Sequence, residues 1–431
     1  MLEKKISDKS ALIAVVGLGY VGLPLALALA RSGYNVIGLD VQQKKVDAVN
    51  SAESYIDDVS SGEIEAVVSS GKLTASSDFS RLSDADCISI CVPTPIDKNK
   101  VPVTTYISNV AEQVATYMTK PQLIVLESTT YPGTTEEVVL PLLEQDGRKA
   151  GRDFYLAFSP ERIDPGNEDY GFEQVPRVVG GVTKRCTDLA AKLYGHVVPS
   201  VFKVDSPREA EMTKLLENIF RIVNISMINE MALLCDRMNI DIWQVIEAAS
   251  SKPYGYMPFF PGPGLGGHCI PVDPFYLSWK AKEYGFYTRF IDLAGEINDL
   301  MPHFVVTKLD YALNAEGKPL KGSQVLVIGA AYKRDIADTR ESPAFAVLGK
   351  LMQKMAKIRI CDPCVSSFTV GGKTFSCLGK VSKKLVESSD AVLILTDHTD
   401  VDYKLIGSHA DIIVDTRNAM QGIRKRKVYK L

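Results

Sequence analysis

The sequence predicts an α/β protein in which two doubly wound, parallel-sheet domains are joined by a long helical central region. Three observations carry this expectation. Short apolar runs ending in glycine or aspartate open both the N-terminal and the C-terminal parts of the chain. Segments long enough for crossover helices separate successive runs. Between the two sets lies a stretch, 207–249, that is poor in turn residues and carries apolar side chains at helical spacing.

Residues 12–16 form an apolar run that breaks at Gly17 and resumes as a helical pattern over 23–30, ending at Gly33. That pattern reads as strand, turn and helix. A second run, 34–39, ends at Asp40, and strand-like runs follow at 87–92, 123–126 and 154–158. In the central stretch Met212, Leu215, Leu216, Ile219, Ile222, Val223 and Ile225 recur at helical spacing. Residues 253–274 read as a Gly- and Pro-rich loop, with more helix through Tyr284 and Glu296. The opening pattern returns at 324–329, and further strands are expected at 358–361, 391–396 and 411–414, a second and smaller α/β domain. No fixed-period repeat accompanies the recurrence. The expected boundaries are 1–205, 206–315 and 316–431.

Composition narrows the classes of function. The chain has 431 residues, and 49 basic against 52 acidic side chains leave a formal charge of −3. No overall field favours nucleic acid or an anionic membrane, so an anionic ligand must be met locally. The longest apolar stretches, such as 23–30, fall short of the roughly 20 residues that span a bilayer. Residues 1–10 carry no apolar segment or small-residue cleavage site, which predicts a cytoplasmic enzyme without a signal peptide. The eight cysteines are scattered, so reduced thiols are expected.

Gly17-Leu18-Gly19-Tyr20-Val21-Gly22 fits G-x-G-x-x-G, follows an expected strand, opens an expected helix and precedes Asp40 at the end of the next strand. This is the Rossmann dinucleotide fingerprint in its proper context. Glycine permits the tight turn and the close approach of a pyrophosphate to the amides at the helix N-terminus. Asp40 can accept from the adenosine ribose and would repel a 2′-phosphate, so NAD is expected over NADP. Lys45, in the following helical turn, weakens that exclusion.

The least ordinary stretch is 259–274, in which Gly262, Gly264, Gly266 and Gly267 lead to His268 and Cys269. The glycines let backbone pass close to a ligand, and the thiol could reach a substrate carbon. Catalysis by Cys269 needs a neighbour that stabilises its thiolate. Lys214 and Asn218 stand four apart on one helix face, with Arg221 on nearly the same side. The alternatives are a small buried hydrophobe for Cys269, a solvated helix face for Lys214 and Arg221, and a backbone hydrogen bond for His268. The five histidines are dispersed along the chain and no metal site is expected. Cys361 and Cys364 have C-x-x-C spacing without a second pair and read as structural.

Taken together, the sequence resembles the UDP-sugar 6-dehydrogenases of the UDP-glucose/GDP-mannose dehydrogenase family over nearly its whole length. The resemblance rests on the fingerprint, Val92-Pro93-Thr94-Pro95, Glu127 to Thr134, Ser159-Pro160-Glu161-Arg162, the Lys214 and Asn218 helix, Gly266-Gly267-His268-Cys269 with Asp273, and Tyr332 to Asp335 through Asp338 to Ser342. His268 and Ile270-Pro271-Val272-Asp273 depart from the UDP-glucose branch and resemble the branch acting on N-acetylated sugars. Ser251 to Tyr256 lacks an arginine that some relatives place there.

The resemblance implies two Rossmann-like domains, NAD as cofactor, a UDP-sugar as partner and a homo-oligomer. It further implies oxidation of C6 of a UDP-N-acetylhexosamine, with UDP-N-acetyl-D-glucosamine first, through a Cys269 thiohemiacetal and thioester, in bacterial surface polysaccharide synthesis (capsule or O-antigen). Within it Lys214 exchanges a proton at the C6 oxygen, Asn218 supports the oxyanion, Asp273 and Thr129 position water, and Glu161 is a second base. Thr94, Thr129 and Arg340 join Gly17, Gly19, Tyr20, Val21, Gly22, Asp40 and Lys45 around the cofactor. Arg162, Ile163, Arg221, Gly266 and Lys333 join Lys214 and Asn218 around the substrate, with salt bridges as the alternative role of the charged ones. The mannosamine and galactosamine epimers, UDP-glucose, a two-electron dehydrogenase with an inert Cys269 and a non-catalytic NAD-binding protein are the other readings.

Overall fold

Eight strands form the first sheet: β1 (Leu12–Val16), β2 (Asn35–Leu39), β3 (Leu73–Ser76), β4 (Cys87–Ile90), β5 (Leu123–Leu126), β6 (Tyr155–Phe158), β7 (Arg177–Gly181) and β8 (Val201–Val204). Their spatial order is β3-β2-β1-β4-β5-β6-β7-β8, parallel throughout except where β6 meets β7. The structure is a computed structural model, and it describes residues 1–56, 59–97, 99–163, 170–267, 272–423 and 427–431.

Strand geometry explains why these runs are apolar without alternation. Successive side chains point to opposite faces. Ile13, Val15, Leu123 and Val125 face one core, which contains Leu25 and Leu29 of helix Gly22–Arg31 and Leu189 and Leu193 of helix Lys184–Tyr194. Ala14, Val16, Ile124 and Leu126 face the other core, with Ile107, Val110 and Val114 of helix Thr105–Tyr117. Both faces are covered, so every position in β4 and β5 is buried.

The second sheet contains β9 (Gln324–Ile328), β10 (Lys357–Cys361), β11 (Ser367–Val370), β12 (Lys373–Leu378), β13 (Ala391–Ile394), β14 (Ile413–Asp415) and β15 (Val428–Lys430), ordered β11-β12-β10-β9-β13-β14-β15. It is parallel except for the β11/β12 hairpin, whose two-residue turn places Gly371 and Gly372 at φ +56° and +77°. The same division of faces recurs, with Val325 and Val327 in one core and Leu326 and Ile328 in the other.

The expected helical stretch 207–249 is two helices, Pro207–Met238 and Ile242–Ser250. Asn239 stops the first in the left-handed region at φ +55°. Asp241 starts the second by accepting the Trp243 amide at 2.9 Å. By compactness the described chain divides into Met1–Glu217 with Phe275–Phe286, and Asn218–Pro274 with Tyr287–Leu431. The boundary falls inside helix Pro207–Met238. Among the described residues no helix is long and apolar enough to cross a membrane.

Candidate active site

The fingerprint glycines have three different jobs. Gly17 sits at φ +94°, and a Cβ there would lie 2.6 Å from the Cys91 carbonyl oxygen. A Cβ on Gly22 would collide with the Gly17 carbonyl. Gly19 has nothing within 4 Å of its missing Cβ. The first glycine therefore makes the turn, the third packs helix Gly22–Arg31 against it, and the middle one leaves the approach to the helix N-terminus open, as a pyrophosphate requires. The turn lies between β1 and β4, where the strand order reverses. Tyr20 is exposed and Val21 half-buried beside it.

Asp40 is buried at the end of β2. Its carboxylate accepts the amides of Leu18 and Gln42, both at 2.9 Å, and Lys45 Nζ lies 3.3 Å away. These contacts aim the acid at the place where an adenosine ribose belongs, and the residues fit NAD. Lys45 partly neutralises the charge that would repel a 2′-phosphate. For Asp40→Ala we expect NAD to bind roughly tenfold more weakly, since a charge-assisted hydrogen bond is worth about 1.5–3 kcal/mol. Lys45, released from its partner, should simultaneously improve the use of NADP, and the ratio of kcat/KM values for the two cofactors measures both changes.

Thr94 and Thr129 join the segments that follow β4 and β5: Thr94 Oγ1 donates to the Thr129 carbonyl at 2.6 Å, and the Tyr276 hydroxyl donates to the Thr94 carbonyl. The Thr129 side chain is half-buried and its hydroxyl has no partner among the described residues. Glu211, which the sequence analysis did not single out, clips the same segment to helix Pro207–Met238. Its carboxyl accepts the Gly133 amide at 2.5 Å and, at 2.9 and 2.7 Å, the amide and hydroxyl of Thr135.

Lys214 lies three residues beyond Glu211. Its side chain is only 7% exposed, yet among the described residues its ammonium makes no hydrogen bond or ion pair. A nearly buried ammonium without a partner is costly and rare unless a ligand or reaction uses it. Four residues on, Asn218 is 4% exposed and donates through Nδ2 to Asp273 Oδ2 at 2.7 Å. The structure thus joins two of the expected catalytic groups directly. Cys269 and His268 lie outside the described residues.

Several expected groups have protein partners of their own. Glu161 receives the amides of Arg162 and Ile163 at 2.7 and 2.8 Å and Arg177 Nη2 at 2.7 Å. Arg162 forms an ion pair with Glu217 at 2.6 Å and donates to the Pro176 carbonyl. Arg340 forms a two-pronged pair with Asp338. Arg221 is exposed and already has a partner. A Cβ on Gly266 would sit 2.7 Å from Tyr332 Cβ and 2.8 Å from the Glu341 carbonyl, so the close approach made there is to protein.

The second unit contains a cavity of about 730 Å³ lined by Trp243, Phe260, Lys333, His398, Arg417 and Asn418, among others. Only Lys333 of these was expected. Trp243 stacks on Phe260 with centroids 6.0 Å apart, and a Cβ on Gly262 would lie 2.6 Å from Arg417 Nη1. Arg417 Nε donates to the Leu395 carbonyl, and among the described residues no carboxylate pairs with its guanidinium. Among the described residues, Trp243 Nε1 and Asn418 Oδ1 are buried without a hydrogen-bond partner. An unpaired guanidinium, a free donor, a free acceptor and two aromatic rings in one concavity suit an anionic ligand that carries a heterocycle.

Asp362, Cys364 and His398 offer ligand atoms within 4.8 Å of one another, a group that includes one of the five histidines and that spacing along the chain does not announce. Both ring nitrogens of His398 are engaged, however. Nδ1 accepts the Asp335 amide at 3.0 Å, and Nε2 lies 3.1 Å from Asp362. Burial pushes the Asp362 carboxyl up, but His398 and the amides of Ala330 and Ala331 hold it down at about 2.

Residues 11–198, 208–300 and 326–422 match, respectively, the NAD binding domain, the central domain and the UDP binding domain of the UDP-glucose/GDP-mannose dehydrogenase family. The chain belongs to that family. It is 36% identical to a UDP-N-acetyl-D-mannosamine dehydrogenase of Pyrococcus horikoshii over 95% of this chain and 96% of that protein. It is 33% identical to a UDP-N-acetyl-D-glucosamine 6-dehydrogenase of Salmonella typhi over 92% and 91%. The solved structure of UDP-D-ManNAc dehydrogenase from Pyrococcus horikoshii superposes with a TM-score of 0.88 at 34% identity, covering 97% of this chain and 98% of that one. The protein is an NAD-dependent nucleotide-sugar dehydrogenase, and the cavity lined by Lys333 and Arg417 lies largely within its UDP binding domain.

Proposed function

We propose that this dehydrogenase oxidises C6 of a UDP-N-acetylhexosamine to the uronic acid, with UDP-N-acetyl-D-glucosamine as the substrate, in the cytoplasm and for bacterial surface polysaccharide synthesis. The observation that carries the reading is the nearly buried Lys214 side chain, which has no partner among the described residues, four residues from the Asn218–Asp273 pair. The reaction balances as one primary alcohol, two NAD and one water giving one carboxylate, two NADH and three protons. Segments 1–205, 206–315 and 316–431 are assigned to cofactor, chemistry and nucleotide.

NAD, when bound, accepts a hydride in each of the two oxidations. Lys214, as the free amine, takes the C6 hydroxyl proton as the aldehyde forms, and Asn218 donates to the developing oxyanion. The Cys269 thiolate then adds to the aldehyde carbon, a C–S bond forms, and the carbonyl oxygen takes a proton from Lys214. The resulting thiohemiacetal again carries a transferable hydride, which a bare aldehyde lacks. Loss of that hydride, with the hydroxyl proton returning to Lys214, leaves a thioester. Asp273, held by Asn218, directs water onto it with Thr129, the C–S bond breaks, and the thiol is restored. Glu161 has three donors on its oxygens, so it orients the 161–163 turn and is the second choice as base.

The cavity of the second unit receives the UDP: Arg417, with Lys333, meets the diphosphate, while Trp243 Nε1 and Asn418 Oδ1 face the base. Leu216, Phe220, Met227, Leu234 and Met238 form an exposed apolar stripe along helix Pro207–Met238, which supports a homo-oligomer. The mannosamine epimer is the second reading, favoured by the 36% identical relative. A panel of UDP-sugars assayed for NADH per sugar consumed tests the proposal. Two per UDP-N-acetylglucosamine supports it; one indicates a two-electron dehydrogenase, and none with any UDP-sugar indicates a binding protein.

A further inference from the structure

Asp362 ends β10 as Asp40 ends β2, and each accepts the amide that follows a glycine turn: Leu18 for Asp40, Ala330 for Asp362. Gly17 and Gly329 adopt nearly the same φ, +94° and +89°. The two acids then part company. Asp362 also accepts the amides of Ala331, Cys364 and Val365 at 3.1, 2.8 and 2.9 Å and faces His398 Nε2. Five donors leave it no capacity for a ribose. The acid that serves a dinucleotide in the first unit has become an anchor for an imidazole in the second.

His398 is fully buried. Because Nδ1 accepts the Asp335 amide, its lone pair is there and the proton sits on Nε2, directed at Asp362. Asp335 is a non-glycine residue in the left-handed region, at φ +59°, a conformation that persists only where its surroundings impose it. Two anchors impose it. The imidazole holds its amide, and its carboxylate accepts the Thr399 amide at 2.8 Å and the Thr399 hydroxyl at 2.5 Å. The residues immediately before this pinned turn are Lys333 and Arg334, both on the cavity wall.

We infer that His398 is a positioning residue for nucleotide binding: the Asp362–His398–Asp335 chain fixes the turn that places Lys333 and Arg334 around the UDP moiety. This rests on the assignment of the cavity to the nucleotide. His398 borders the cavity but is fully buried with both ring nitrogens engaged, so it acts through that turn, and its loss affects substrate binding while leaving the cofactor and the chemistry alone.

UDP binding to the full-length protein by calorimetry, together with steady-state kinetics, tests the inference. His398→Leu is expected to raise the UDP Kd and the UDP-sugar KM about tenfold, the loss of one well-placed charged contact, with kcat and the NAD KM within about twofold. His398→Asn, whose side-chain oxygen can still accept the Asp335 amide, is expected to restore most of the affinity. Asp335→Asn, an exposed change that tolerates the left-handed backbone and weakens the Thr399 anchor, should weaken UDP in the same direction and decides the matter if the leucine variant does not fold. A folded His398→Leu protein with wild-type UDP affinity, or a His398→Asn variant as weak as the Leu variant, overturns the inference. Arg417→Met separates the two layers. If it leaves UDP binding unchanged, the cavity assignment itself fails; if it abolishes binding while the His398 and Asp335 variants bind normally, only the positioning role fails.

Discussion

Cys269→Ala is expected to stop acid formation, lowering the rate of the second oxidation by about 10³-fold or more, as removal of a covalent nucleophile does elsewhere. The first oxidation needs no thiol. The variant should therefore release one NADH per sugar and a C6 aldehyde that a hydrazide reagent traps, where the parent enzyme releases two NADH and no aldehyde. NAD affinity should stay at its original value, because Gly17, Gly19, Gly22 and Asp40 shape the cofactor turn from other elements. Uronic acid formed at an unchanged rate would remove the thiol from the mechanism.

Arg177→Met is expected to have the largest effect on stability. The Arg177 side chain is 4% exposed, with Nη1 on Glu127 at 2.5 Å and Nη2 on Glu161 at 2.7 Å. Phe172 and Tyr194 lie 4.7 and 4.8 Å from its guanidinium carbon, and Tyr194 also donates to Glu127. Burial pushes the Glu127 carboxyl up even beside this cation. Methionine would strand Glu127 in the core without its counter-charge, and breaking one partner of a buried pair typically costs about 3–5 kcal/mol. Arg177→Met with Glu127→Leu should recover part of that loss, since an apolar replacement of a whole pair is far milder. Urea unfolding followed by circular dichroism gives both numbers. A loss below about 1 kcal/mol for the single variant would show that the network contributes little. Because Glu161 leans on Arg177, the same variant should also loosen the 161–163 turn.

The parts of this enzyme that were legible in the sequence are those that local physics dictates. Strands β1 and β5 are apolar throughout, and β4 and β9 apart from Ser89 and Gln324, because both faces of their sheets are covered, and the fingerprint glycines announce a turn that only glycine can make. The four-residue spacing of Lys214 and Asn218 was legible as one helix face, and both lie in helix Pro207–Met238. Strand β8 was not, because Phe202 and Lys203 face outward and its pattern resembles a loop. The β11/β12 hairpin alternates at a sheet edge and was missed for the same reason. Arg177, His398 and Arg417 carry no local signal at all: each acquires its meaning from partners tens of residues away, such as Glu127, Asp362 and Gly262. The expected roles of Arg162 and Arg340 illustrate the reverse, since a positive charge in a motif says nothing about the acid that the fold puts beside it.

The most direct test of the mechanism is mass spectrometry of the Cys269 peptide from rapidly quenched turnover mixtures, using Asp273→Asn to slow hydrolysis. A UDP-sugar adduct on that peptide is expected to rise within the first turnover and to decay as acid appears. Turnover to two NADH per sugar with no adduct at any time point would contradict the mechanism.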